Sequence, residues 1–290
     1  MKKVGLTLLV ALVFVFSANA QLKNKQGETI LPETGDWAIG IDAAPILGYF
    51  GNMFNANTSN NMSWAFTNGS NQIFGKYFTS ENEAYRVGLR IGFVNQSTKN
   101  NVVKDDTAST AIANPTYVED KATQSDMNIV LSAGKEWRRG HGRLQGFYGA
   151  DAYLMFGSSS TKYTYGNDYT ALFTSANSTS WANASGTAPV VGTVGSLMSR
   201  PTKESFGSTF GIGVRGFIGA EYFVLPKISI GGEFGWGIGL LSRGTSKITT
   251  EYWDGTGNAV KSTEVPGKGG SAFAIDTDNL SGAIKVMFHF

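Results

Sequence analysis

Cysteine is absent from this 290-residue chain. No disulfide, thiolate nucleophile or cysteine-ligated metal is therefore available, and the fold must be held by pairing and packing alone. Histidine is nearly absent, with only His141 and His289. Proline is rare. After residue 20 no apolar run is long enough for a transmembrane helix, which needs roughly 20 residues. An excess of one charge is missing too. The formal net charge of +2 comes from Lys2 and Lys3, and the remainder is neutral. Nucleic-acid binding wants a basic face, and the composition offers none.

The main apolar run is N-terminal. Lys2 and Lys3 precede Val4 to Phe16, and Ser17-Ala18-Asn19-Ala20 follows. A basic start, a short apolar segment and a small-x-small ending form a secretory signal peptide. Residues 1–20 are expected to be removed after Ala20. No Cys follows, so a lipid-anchored N-terminus is not expected. Residues 21–35 read as a short periplasmic leader, and 36–290 as one domain without internal repeats.

Glycine is plentiful, with 37 residues, and aromatics reach 12%. These residues fall in an alternating pattern. In Ala84 to Asn95, Tyr85, Val87, Leu89, Ile91 and Phe93 share one face, while Arg86, Gly88, Arg90 and Gly92 share the other. A period of two marks a strand with one apolar face. The same pattern runs from Trp37 to Ala43, Met127 to Gly134, Leu144 to Phe156, Phe206 to Gly219, Ile228 to Leu240 and Leu280 to Phe290. Gln72 to Thr79 is apolar on both faces around Gly75 and Lys76, and is read as a strand because the topology needs one there.

Eight strands result, an even number, as a closed antiparallel barrel requires. Short connections fall at 80–83, 138–142 and 223–227. Long ones fall at about 47–71, 96–123, 157–203 and 243–272. Outer-membrane barrels have short periplasmic turns and long external loops. The expected fold is all-β: an eight-stranded antiparallel transmembrane β-barrel with four long extracellular loops. Rich in Asn, Ser, Thr, Gly and Ala, those loops read as mobile polar segments.

The polar faces carry Asp42, Arg90, Asp151, Arg215, Glu233 and Lys285 near mid-strand, three acids against three bases. Inside a narrow tube each charge needs a partner, because unpaired burial is costly. Arg215 with Glu233, and Lys285 with Asp42, lie on neighbouring strands once the last strand pairs with the first. These six are expected to form a lumen charge network, either structural or gating. Trp37, Tyr85, Trp137, Tyr148, Tyr222 and Phe223 near strand ends suit an interfacial girdle.

The chain ends Ile284-Lys285-Val286-Met287-Phe288-His289-Phe290. This alternating strand with a terminal Phe resembles the assembly signal of outer-membrane barrels, with Phe288 and Phe290 as its recognised residues. Tyr222 to Gly231, with Pro226 in the turn, resembles the tight turn before the last strands of small porin-like barrels. By these features the chain resembles small outer-membrane β-barrel proteins of Gram-negative bacteria, the OmpX, OmpW and OmpA transmembrane-domain group. The resemblance implies localisation in the outer membrane. It also implies contact with outer-membrane lipid and lipopolysaccharide, and handling by the β-barrel assembly machinery. Leu31-Pro32-Glu33-Thr34-Gly35 resembles a sortase signal, but at the wrong end of the chain.

Both histidines fall at the expected periplasmic end, so the outer rim lacks a histidine general base. No catalytic residue, cofactor or metal ligand is assigned. The acidic groups Asp105-Asp106 and Asp276-Thr277-Asp278 lack the spacing of a calcium loop. The expected role is a non-enzymatic scaffold presenting external loops to a ligand or to an envelope protein partner. The alternative is a narrow porin-like channel for small or hydrophobic solutes, with the same charges lining its path.

Overall fold

The computed structural model describes residues 27, 29–42, 73–106, 115–140, 142–182, 189–278 and 284–290. Residues 1–20 and the connection at 47–71 lie outside them. Strand makes up 78% of the described residues, and no helix occurs among them. The strands are β1 (Trp37–Asp42), β2 (Ile73–Ser80), β3 (Glu83–Val103), β4 (Tyr117–Arg139), β5 (Leu144–Thr164), β6 (Ala176–Ala182) and β7 (Val190–Leu197). They continue with β8 (Ser199–Ser205), β9 (Thr209–Leu225), β10 (Ile228–Arg243), β11 (Lys247–Asp254), β12 (Ala259–Pro266), β13 (Gly270–Asp278) and β14 (Ile284–His289).

Eight of them close on themselves. The pairing runs β1-β2-β3-β4-β5-β9-β10-β14 and returns to β1, antiparallel at every step. Closure between the first and last strands is direct: Ile39 lies opposite Phe288, and Asp42 opposite Lys285. Trp37 and Phe290 exchange both backbone hydrogen bonds, each 2.8 Å. Closing the ring leaves no open edge along this wall.

The short connections are tight turns at one end of the ring, after β2, β4 and β9. Between β9 and β10, Pro226 precedes Lys227, which adopts a left-handed φ of 60°. At the other end, the three expected loops that fall among the described residues, 96–123, 157–203 and 243–272, are largely strand. β3, β4 and β5 are 21, 23 and 21 residues long. Segment 96–123 is thus mostly the ladder between β3 and β4. Segment 157–203 holds the end of β5, then β6, β7 and most of β8, while 243–272 holds β11, β12 and the start of β13. This corrects the reading of mobile polar loops. The extension is mostly Ser, Thr, Asn and Lys, with only scattered apolar residues such as Val102, Ala122 and Tyr163, so it lacks the sustained apolar alternation that reveals a half-buried strand.

Burial of the two faces decides how the ring is turned. Val87, Ile91, Phe93, Ile212, Val214, Trp236 and Leu240 point outward and are 43–68% exposed. On the opposite faces Arg86, Arg90, Glu136, Arg138, Glu221 and Glu233 are at most 6% exposed. The ring is therefore apolar outside and ionic inside, the reverse of a water-soluble sandwich.

Candidate functional site

The interior is filled in three layers. At the end with the short turns, Phe78, Phe223, Met287, Ala38 and Ala84 form an apolar floor. The chain before β1 crosses beneath it. Ile30 is fully buried there, and its carbonyl accepts from the Lys227 backbone N–H. The Gly35 N–H donates to the Phe78 carbonyl at 2.8 Å. The Leu31–Gly35 motif is thus part of a structural strap. Asp36 anchors it through an ion pair with Lys227. Burial disfavours the Asp36 charge. The Lys227 ammonium and the Glu33 N–H outweigh that, and hold the carboxyl below its ordinary range.

Above the floor lies the ionic core. Glu233 on β10 meets three cations from three other strands: Arg86 at 3.0 Å, Arg215 at 2.9 Å and Lys285 at 2.8 Å. Asp151 joins Arg86 and Arg215 at 3.7 Å. Glu136 pairs with Lys76 at 3.0 Å and Arg86 at 3.5 Å, and Glu221 with Arg138 at 2.7 Å and Lys76 at 3.5 Å. The cations also stack on inward rings. Arg86 lies 3.9 Å over Phe217, Lys76 4.9 Å over Phe147, and Lys285 3.6 Å over Phe74. Glycine makes the space. A Cβ on Gly235 would lie 2.7 Å from Arg215 Nε and 2.7 Å from the Gly216 carbonyl. Between Lys76, Arg86, Glu233 and Lys285 remains a cavity of about 10 Å³, room for about one water.

Four of the six expected network residues meet here: Asp151, Arg215, Glu233 and Lys285. Arg90 is buried on the same inward face of β3, further toward the outer end. The Asp42 backbone pairs opposite Lys285, but its side chain lies outside the described residues. Sequence reading missed Lys76, Arg86, Glu136, Arg138 and Glu221. Lys76 sits on the strand with the weakest alternation, and Glu136, Arg138 and Glu221 lie near strand ends. Their parity was available: each is an even number of residues from a neighbour already read as inward, except on β2. Phe147 and Phe217 share that parity, beside Gln145 and Asp151 and beside Arg215, but an apolar ring on the polar face gave no charge to mark it.

Ser229, His289 and Glu221 also meet. The Ser229 hydroxyl donates to Glu221 and lies 3.0 Å from His289 Nε2, which is 3.3 Å from Glu221. All three are buried. Serine and carboxylate address the same ring nitrogen, whereas a catalytic relay needs them on opposite nitrogens. The group closes the floor. His141 lies outside the described residues. Phe288 and Phe290 face outward on the last strand, 45% and 66% exposed.

The third layer closes the outer end. The hairpin of β6 and β7 lies apart from the main sheet and folds against the inward side of β3 and β4. Fully buried Asp120 on β4 accepts from the backbone N–H groups of Thr179 at 2.7 Å and Gly166 at 2.9 Å. Arg200 on β8 donates to Ser178 at 2.6 Å, to the Asn167 carbonyl at 2.7 Å and to Glu251 at 2.7 Å. It packs over Tyr165 at 4.2 Å and Tyr169 at 4.5 Å. Burial pushes both phenols up, so each stays protonated and donates, Tyr165 to the Pro201 carbonyl and Tyr169 to that of Leu197. Asp105, one of the acidic pair near this loop, accepts from the Asn177 N–H at 2.6 Å. No group of metal-ligating side chains occurs among the described residues.

No protein-family model and no curated protein sequence matches the chain.

Proposed function

We propose that this chain is an integral β-barrel of a Gram-negative outer membrane, exported through residues 1–20. In this reading it is a sealed scaffold whose rigid outer extension contacts partners outside the cell. One observation carries the proposal: the apolar face is exposed around the whole ring while the ions are inside. About 25 large apolar side chains of the ring face outward. Partly exposed, they present on the order of 2,000 Å² of apolar surface, several times what a soluble monomer tolerates in one patch. Along β10 the band runs from Ile230 to Leu240. That is about 33 Å of strand, and a tilt of roughly 40° reduces it to about 25 Å, the height of a lipid-facing barrel band.

The filled interior supports a scaffold over the porin-like alternative. A solute would have to pass the strap at Ile30, the Glu233 network and the β6–β7 hairpin in turn. The test is reconstitution in planar bilayers. Folded protein that co-floats with vesicles and carries no steady current supports the scaffold. Steady single-channel current that changes in Glu233→Ala would replace it with the channel. Protein that stays monomeric and soluble without detergent would overturn the membrane assignment altogether.

A further inference from the structure

The β6–β7 hairpin at the outer end has two edges, and the fold treats them differently. Along β6 the Asn177 N–H donates to the Asp105 carboxylate at 2.6 Å, and the Thr179 N–H to the Asp120 carboxylate at 2.7 Å. The Asn177 carbonyl accepts from Asn167 Nδ2 at 2.8 Å. Side chains thus stand where a neighbouring strand would. Among the described residues β7 pairs with β6 alone. The Asn177 and Thr179 N–H groups point away from β7. Their opposite residues, Ser196 and Val194, therefore point their own N–H and C=O groups away from β6. Among the described residues no side chain or strand caps those outward groups.

Open strand edges are normally protected by charge, by proline or by a bulge. β12, at the end of the main sheet, is protected in this way, with Lys261, Glu264 and Pro266. β7 contains neither a charge nor a proline, and its Val190 and Val194 side chains are exposed. The bulge in the hairpin falls on β6, between Thr179 and Trp181. No charged residue or histidine occurs between Asp168 and Arg200. An edge that is capped on one strand and bare, uncharged and β-branched on the other is suited to strand addition. With no charge to pair, its complement is an equally neutral extended segment.

A second copy in the same membrane does not fit. Asn177 Nδ2 reaches the Val103 carbonyl at 3.1 Å, and Asn100 Nδ2 reaches Thr179 Oγ1 at 3.0 Å, so the hairpin runs along β3. Copies sharing a membrane are related by an axis along the barrel. That axis leaves two such strands parallel with like edges facing, which forms no ladder.

We infer that the free edge of β7 is a docking site for an uncharged, β-branched extended segment of a partner protein. The partner pairs with the outward N–H and C=O groups of Val194 and Ser196. The site rests on the reading of the outer extension as the part that contacts partners, and names the kind of partner.

The test uses full-length folded protein in neutral detergent. The probe is a fluorescent peptide of alternating Thr and Val, matched in length to β7 and read by anisotropy. Its control carries N-methyl groups on alternate amides, which removes one bonding edge and keeps the side chains. Val194→Pro deletes an outward donor and spares the ladder to β6. Losing one such bond costs about fivefold in affinity, and the ring also blocks approach, so binding should weaken about tenfold or more. Val194→Lys supplies the missing protective charge and should weaken binding similarly; it decides the matter if proteolysis within 165–198 shows that the proline has undocked the hairpin. Val265→Lys on β12 should bind as the parent does. A parent that ignores the peptide, an N-methylated peptide that binds equally, or a change under about threefold in Val194→Lys would overturn the site. Loss of binding in Val265→Lys would move the edge to β12 and overturn β7. Dimers that Val194→Pro abolishes would overturn the foreign partner in favour of a second copy. Flotation with phosphatidylcholine vesicles tests the membrane reading separately. Protein that floats without binding the peptide loses the docking edge alone, and protein that binds the peptide without floating loses the membrane reading alone.

Discussion

Replacing Glu233 by Gln keeps the shape of the side chain and removes its charge. Arg86, Arg215 and Lys285, all within 3.0 Å of that carboxylate, then face one another around an amide. Asp151 is the other acid in contact with two of them, at 3.7 Å. Removing one partner from a buried charge cluster costs about 3–5 kcal/mol, because the remaining charges are left desolvated. The structure supplies its own control. Lys247 and Glu264 are also 2.8 Å apart, but half-exposed on the β11–β12 hairpin. Glu264→Gln should change stability by less than about 1 kcal/mol. The two variants thus share a distance and differ in burial. Urea unfolding of vesicle-reconstituted protein, followed by tryptophan emission, measures both. Adding Lys285→Met to Glu233→Gln should recover part of the loss by removing one orphaned cation. Equal, sub-kcal effects of Glu233→Gln and Glu264→Gln would refute a desolvated interior and indicate water throughout the ring.

Gly235→Val should destabilise by about 1–3 kcal/mol in the same assay, since its side chain enters the space of the Arg215 guanidinium and the Gly216 carbonyl. Asp36→Asn tests the strap. The Asp36 carboxyl is held low by Lys227, so its stabilisation is complete above the unfolded value near 3.9 and is lost as pH falls through the lower folded value. The variant should therefore be less stable by up to about 1 kcal/mol at pH 7, and the difference should vanish once the pH lies below the lowered folded value. Arg200→Gln removes the donor that ties β8 to Ser178, Asn167 and Glu251. Limited proteolysis should then cut within 165–198 well before the ring opens, with bilayer conductance still absent because the Glu233 layer is intact.

Where one face of a strand was apolar and the other sparse and ionic, the sequence was readable. Tyr85 to Phe93 and Ile228 to Leu240 announced both strand and facing, and the lengths of the connections ordered them into a ring. The alternation could not show where the strands end. Beyond Phe93, Met127 and Phe156 both faces are mostly polar, with apolar residues too scattered to set a period, and Ser, Thr and Asn are as common in loops as in solvated strands. The site was half legible for a related reason. Asp151, Arg215, Glu233 and Lys285 lie deep within clear alternation. Lys76 lies on a strand with two apolar faces, and Glu136, Arg138 and Glu221 lie past Gly134 and Gly219, where the clear alternation was read to end. The Asp120 and Arg200 clamps depend on contacts across 59 and 51 residues of sequence, with Thr179 and Glu251, which no local pattern encodes.

The most direct measurement concerns Trp236, whose ring stands on the outward face of β10 at 53% exposure. In a variant retaining Trp236 as its one tryptophan, reconstituted in vesicles, brominated acyl chains should quench its emission strongly and aqueous iodide should not. Strong iodide quenching with no effect of the brominated lipid would put that face in water and contradict the account.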